Sequence, residues 1–276
     1  MTGREKKKIE QLQERVRAYY RAHKRNFPWR ETRNPYRILV SEVMLQQTQV
    51  ARVLVKYPEF IGAFPTVQTL AKAPLAEVLR VWQGMGYNRR AKFLKQASKE
   101  IVERHNGKIP STIAELLSLP GVGKSTAGGI LAFAYNIPVA FIETNIRRVF
   151  IHHFFPKKKT VSDSDILPLV EATLNTANPR EWYYALFDYG THLAQMMPNP
   201  NRRSRHHAKQ SVFEGSRRQI RGRVLRVLLT NKETAGELFR HTKMAVDNRK
   251  ELMATLKELE REGFVAKKGS RYMIKK

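Results

Sequence analysis

The sequence contains no cysteine. That excludes disulfides, cysteine-ligated zinc sites, thiolate-held iron–sulfur clusters and every cysteine-nucleophile mechanism. Acidic residues are also scarce: 24 Asp and Glu stand against 51 Lys and Arg, a formal net charge of +27. Solubility needs only about 2–8 charges on a small domain, so the excess points to a polyanionic partner, with nucleic acid the first candidate. The positive charge is spread along the chain and is not collected beside an apolar helix, which argues against a membrane surface. No apolar run approaches the roughly 18–20 residues of a membrane-crossing helix. The opening residues, Met1 to Lys8, lack the apolar stretch of a secretory signal, and a cytoplasmic, nucleoid-associated protein is expected. Strand-like alternation is almost absent before residue 220.

The 276 residues are 42% hydrophobic, enough to bury a core in one large or two smaller domains. Helical periodicity dominates. Ile9, Leu12, Val16 and Tyr19–Tyr20 recur at helical spacing in 5–24, and Phe27-Pro28-Trp29 then breaks the pattern. Further helices are predicted over 35–61, 67–71, 75–82, 88–104, 112–117, 124–134, 145–155, 163–175 and 179–195. Residues 196–222 are basic and rich in Pro and Asn, which predicts a long loop. Helices at 219–229, 233–241 and 248–262 follow, and 263–274 alternate about a Lys-Gly-Ser turn. Three helices and a β-ribbon predict a winged-helix-like module; the alternative is a helical cap with a frayed hairpin. His152-His153 and His206-His207 are adjacent pairs that point apart on a helix, and no metal is expected. Trp29 and Trp82 are expected in the core.

Three stretches carry chemistry. The first is Leu119-Pro120-Gly121-Val122-Gly123-Lys124-Ser125-Thr126-Ala127. Its glycines allow a tight turn between two helices, leaving N–H groups at a helix N-terminus where a phosphate can be held. Read plainly it is an αα-corner; in an all-helical basic chain it reads as a helix-hairpin-helix DNA clamp. It is not a Walker A loop, since the Gly-x₄-Gly-Lys-Ser/Thr spacing fails and no strand precedes it. The second is Ser41-Glu42-Val43-Met44-Leu45-Gln46-Gln47-Thr48-Gln49-Val50, a carboxylate followed by amides suited to base edges, or else a solvated helix face. The third is Phe141 to Val149, where Glu143 stands at a helix entrance as its N-terminal acid.

These stretches resemble the helix-hairpin-helix DNA glycosylase superfamily, and within it the A/G-mismatch adenine DNA glycosylases of the MutY type. The likeness runs from Phe27-Pro28-Trp29-Arg30 to Gly190 and includes Asn34-Pro35-Tyr36, Trp82 to Leu94 and Gly107-Lys108-Ile109-Pro110. It implies a mainly α fold with a helical lobe from 1–30 and 136–218 and a six-helix lobe with the hairpin from 31–135; the winged-helix-like module read from the residues follows at 219–276. It implies that Glu42 protonates the leaving base, that Glu143 stabilises the sugar cation and that Asn145 belongs to the same motif. Gln46, Gln47 and Thr48 fall near the flipped base and its orphan partner, and Tyr87 in the loop that intercalates. Arg30, Arg89, Gly121, Gly123, Lys124, Ser125 and Thr126 fall among residues on the DNA. Ser125 stands where lyase-competent relatives carry a catalytic Lys, so hydrolysis without strand cleavage is expected.

The implied protein is a monomeric, cofactor-free repair enzyme acting on duplex DNA. Its substrate would be adenine opposite guanine or 8-oxoguanine; the alternatives are mispaired uracil, thymine or hypoxanthine, or non-catalytic DNA binding. Three departures from the family pattern stand out. The family's iron–sulfur cysteines are absent, so that region must be held by packing and by the basic loop. Glu143 replaces Asp, moving the carboxylate by roughly 1.5 Å, one C–C bond. Residues 220–276 stand where the family has a Nudix-like domain that inspects 8-oxoguanine.

Overall fold

The computed structural model describes residues 2–208, 212–242 and 249–275. The chain begins with α1 (Gly3–His23), α2 (Pro35–Leu45), α3 (Val50–Ala63), α4 (Val67–Lys72), α5 (Leu75–Val81) and α6 (Arg89–Arg104). Next come α7 (Ile113–Ser118), α8 (Lys124–Tyr135), α9 (Thr144–Phe154), α10 (Asp163–Thr173) and α11 (Pro179–Met196). The C-terminal module is α12 (Arg217–Leu228), β1 (Glu233–Thr234), α13 (Ala235–His241), α14 (Arg249–Arg261), β2 (Val265–Lys268) and β3 (Arg271–Ile274). Helix starts follow local capping chemistry: Thr2, Thr66, Ser162 and Thr234 each close a capping box. No described helix is long and apolar enough to cross a membrane.

Two compact units form, Met1–Glu42 with Pro110–Lys209 and Val43–Ile109 with Gln210–Lys276. In the first unit α11 is buried around most of its circumference, with Trp182 to Leu186, Tyr189 and Leu193 inside. It packs on α1, α8 and α9. Asp188 sits on this helix at 2% exposure. It accepts from Arg25 Nε at 2.6 Å and from both terminal nitrogens of Arg30 at 2.8 Å. A buried carboxylate is tolerated only when paired and hydrogen-bonded, and the Arg30 fork supplies both conditions. Arg30, expected at the DNA surface, is thereby turned inward, its side chain 6% exposed.

The basic loop after α11 is fastened by its own polar side chains. Asn199 Oδ1 accepts from Arg148 Nε at 3.1 Å, and Asn201 Nδ2 donates to the Thr144 carbonyl at 2.8 Å. Arg203 donates to the carbonyls of Ile151, Phe155, Pro156 and Lys158, where α9 ends. Within the Lys157-Lys158-Lys159 run, Lys158 pairs with Asp165 at 2.8 Å. His153 Nε2 lies 3.0 Å from the Tyr189 hydroxyl.

In the second unit Trp82 is fully buried against the edge of Phe60, ring centroids 5.6 Å apart. Both Trp82 here and Trp29 in the first unit are core residues, as their surroundings in the sequence predict. The C-terminal module runs helix, strand, helix, helix, strand, strand with sheet order β1-β3-β2. That is the winged-helix arrangement. Helix was predicted for all of 233–241, but Glu233 and Thr234 pair with Tyr272 and Arg271. A strand of two residues is too short to leave an alternating pattern in the sequence.

The module is tied to α6 by ion pairs. Glu262 accepts from Arg89 at 3.0 and 2.5 Å and from Arg221 at 3.1 and 2.5 Å, and Lys92 donates to its carbonyl. Arg89, expected on DNA, pairs with a partner 173 residues away while its side chain stays 61% exposed. These hydrogen bonds, Arg89's foremost, hold the Glu262 carboxyl down at about 2. A group depressed in the fold contributes stability above its ordinary value of 4.5 and loses it as pH falls through the folded value. Glu262→Gln is therefore expected to destabilise by about 1–2 kcal/mol at pH 7. In urea titrations across pH, that deficit should shrink below about pH 4.5 and vanish near pH 2.

Candidate active site

The hairpin motif folds as its residues dictate. α7 and α8 flank a turn in which Gly121 adopts φ +77°, a left-handed conformation open to glycine. Gly123 is the extended N-cap of α8 and no side chain caps that end. Gly121, Gly123 and Lys124 are exposed, and Ser125 is half-buried. The N-terminus of α8 is accordingly presented to solvent with a lysine beside it, a geometry suited to an anion. Thr126, expected on DNA with them, is buried at 5% exposure.

Further along α8, Gly129 lies under Glu42. A Cβ at this position would stand 2.3 Å from Glu42 Oε2 and 2.9 Å from its Cδ, so the carboxyl rests where only glycine leaves room. Gly128 similarly admits the Phe141 ring. Glu42 accepts no hydrogen bond among the described residues. Burial, with the charge of Glu143 adding to it, pushes its carboxyl up to about 8.

Glu143 is the N-cap of α9. Its Oε1 accepts from the backbone N–H of Asn145 at 2.6 Å and of Ile146 at 2.7 Å, and its Oε2 from Asn145 Nδ2 at 3.2 Å. Asn145 is oriented in turn, its Oδ1 accepting from Arg148 Nη1 at 2.8 Å, while the same nitrogen reaches the Gly190 carbonyl at 2.7 Å. Burial raises the Glu143 carboxyl too, but the Ile146 and Asn145 donors, Arg148 and Arg147 all pull it back. Two carboxyls with unequal surroundings divide into an acid and an anion. The first proton leaves Glu143, and its charge keeps the second on Glu42.

Gln46, Gln47, Thr48, Tyr87 and Arg89 lie in the second unit. Gln47 has φ +53° and Tyr87 φ +45°, left-handed backbone costing on the order of 1–3 kcal/mol at a non-glycine. Arg90, 8% exposed, holds both turns. It donates to the carbonyls of Val43, Met44 and Gln46 at 3.0, 2.8 and 2.5 Å and to Thr48 Oγ1 at 2.9 Å. On its other side it reaches the carbonyls of Met85 and Gly86 at 3.2 and 3.3 Å. The sequence shows Arg90 only as one charge of a basic helix, and so its role is not legible there. Arg148 is hidden in the same way. For Gly129 a signal exists, a Gly-Gly pair inside an apolar helix, which marks close approach.

The model described as "HhH-GPD superfamily base excision DNA repair protein" matches residues 40–167. This span includes Glu42, the hairpin and Glu143. An adenine DNA glycosylase of Buchnera aphidicola is 36% identical over 186 residues, 66% of this chain and 52% of that one. The adenine DNA glycosylase of Mycobacterium tuberculosis is 46% identical over 133 residues, 48% of this chain and 44% of that one. Residues 40–167 thus resemble the HhH-GPD superfamily, and the rest of the chain lies outside that match. The chain spans about half the length of these curated relatives. Among solved structures, a thermostable thymine-DNA glycosylase superposes with TM-score 0.63 at 26% identity. That match covers 67% of this chain and 87% of the other. A trapped endonuclease III–DNA covalent intermediate shares the fold with TM-score 0.55 at 22% identity, over 76% of this chain and 92% of that one. The C-terminal module lies outside the HhH-GPD match.

The Gly129–Glu42 approach gives a stability test. Gly129→Ala is expected to destabilise by about 1–3 kcal/mol in urea unfolding, the cost of overpacking. Combined with Glu42→Ala, much of that loss should return, because the side chain that is struck has gone. Full additivity of the two changes would show that Gly129 is required for some other reason.

Proposed function

We propose that the protein is a monofunctional DNA N-glycosylase that removes adenine mispaired with guanine or 8-oxoguanine. The observation that carries this reading is the unequal carboxyl pair. Burial pushes Glu42 up to about 8, and Glu143, though burial raises it too, is drawn toward its anion by the N–H groups at the head of α9 and by Arg148. Cleaving an N-glycosidic bond needs both, an acid for the leaving base and a carboxylate for the oxocarbenium-like sugar. Glu42 gives its proton to a ring nitrogen of adenine, and the C1′–N9 bond breaks with its electron pair passing to the base. Glu143 supports the cation at C1′. Water then adds at C1′ and returns a proton to the carboxyl pair. Asn145 and Arg148 keep the Glu143 carboxylate aimed.

The base must leave the stack before it can react. Gln46, Gln47 and Thr48 address base edges, Tyr87 fills the gap, and Gly121, Gly123, Lys124 and Ser125 hold a phosphate at the head of α8. The adenine DNA glycosylases that match this chain support the choice of base. The rival choice, thymine, draws on the 26% likeness to the thermostable thymine-DNA glycosylase. A panel of duplexes with single A·G, A·8-oxoguanine, T·G, U·G and hypoxanthine mismatches, scored for abasic sites, decides between them. Cleavage only at T·G or U·G would overturn the adenine assignment.

Two outcomes test the chemistry. Because Glu42 must carry a proton and gives it up at about 8, the single-turnover rate should fall about tenfold per unit above that pH, and it should fall again on the acid side where Glu143, raised by burial, takes up a proton. Glu42→Gln should abolish excision while duplex affinity changes by no more than a few-fold. A Gln variant of near-full rate would remove the acid assignment. Ser125 offers no amine, so borohydride during turnover should trap no covalent complex, and the strand should break only after hot alkali. Efficient trapping that is lost in Lys124→Ala would make the enzyme a lyase.

A further inference from the structure

The C-terminal module touches the Tyr87 turn directly. Arg218 Nη1 donates to the Tyr87 hydroxyl at 2.8 Å, and its guanidinium lies 5.7 Å from the ring centroid. Arg90 approaches the same ring at 5.6 Å. One helical turn beyond Arg218, Arg221 holds Glu262, which holds Arg89, two residues past Tyr87. α12 therefore grips this segment at two points. The start of α12 is itself fixed, since the Ser216 side chain accepts from the Gln219 N–H.

We propose that Arg218 is a positioning residue for mismatch recognition, holding the Tyr87 side chain by its hydroxyl so that the C-terminal module acts on the base-reading turn. The inference rests on the reading of Tyr87 as the side chain that enters the duplex. Tyr87 has φ +45°, and a tyrosine stays in left-handed backbone only where its surroundings over-determine it. Arg90 supplies part of that constraint from within the turn's own neighbourhood. Arg218 adds to it from 131 residues away, at the one polar atom of the ring. An arginine serving only as a phosphate contact would extend into solvent, whereas Arg218 is half-buried and commits a donor to the phenol. The module thereby contributes selectivity for disturbed base pairs, apart from any charge that it presents to the backbone.

The test compares binding of the full chain to a duplex with one A·G mismatch and to its matched counterpart, over a salt series. Arg218→Ala is expected to lower the mismatch-to-match affinity ratio by about tenfold, the scale of one hydrogen bond to a charged group. Tyr87→Phe, which keeps the ring and removes the hydroxyl, should lower it by a similar factor. The double variant should be no worse than either single one, the signature of a shared interaction. Additive losses would overturn the proposal. So would an equal loss on both duplexes with the salt slope reduced by about 0.9, which marks a plain phosphate contact. Tyr87→Ala separates the two layers of the argument. If it lowers the ratio while Arg218→Ala and Tyr87→Phe do not, the role of Arg218 falls alone. If it leaves the ratio intact, the reading of Tyr87 falls and takes this proposal with it.

Discussion

Two carboxyl groups placed out of water within reach of each other's field cannot both be charged cheaply, and the first unit is organised around that constraint. The solution is asymmetric. Glu143 receives two backbone N–H groups and an amide from the head of α9, while Glu42 receives none and lies against bare α8 backbone at Gly129. The chain sets the charge state by unequal hydrogen bonding, with two side chains of one type. As the N-cap of α9, the Glu143 side chain folds back onto its own helix.

The charge of +27 suggests a molecule designed mainly to meet a polyanion. The structure assigns part of it elsewhere. Arg90, Arg148 and Arg180 are buried and donate to backbone carbonyls, and Arg203 does the same where α9 ends. Arg30 serves Asp188, and Arg89 and Arg221 serve Glu262. A guanidinium with five donors in a plane can satisfy several carbonyls at once, which an ammonium does less well. Arginine here is as much internal scaffolding as external contact, and net charge overstates the number of phosphates the surface can neutralise.

What the sequence disclosed follows from the range of each interaction. The helices were legible because their signal, an apolar residue every three or four positions, is local. The hairpin was legible because Gly121 and Gly123 act on their own backbone. Glu143 could be read as an N-cap from its immediate neighbours. The partners of Arg30 and Arg89 could not be foreseen, because Asp188 and Glu262 lie 158 and 173 residues away and nothing in the local pattern announces them. Arg90 and Arg218 stayed silent for the same reason. The Ser41–Val50 stretch was recognisable as a unit only through family resemblance; its amides and its Glu have no periodicity of their own.

The loop beyond α11 leads to a different kind of conclusion. Asn199, Asn201 and Arg203 fasten it to both ends of α9 with amide and guanidinium hydrogen bonds, and Asn201 reaches the Thr144 carbonyl beside Glu143. Where a thiolate-held cluster closes such a segment, the newly made chain must wait for iron and sulfide to be delivered before the segment is complete. Here the fastenings among the described residues are side chains of the chain itself. These contacts are completed by folding alone, with no iron or sulfide to be delivered.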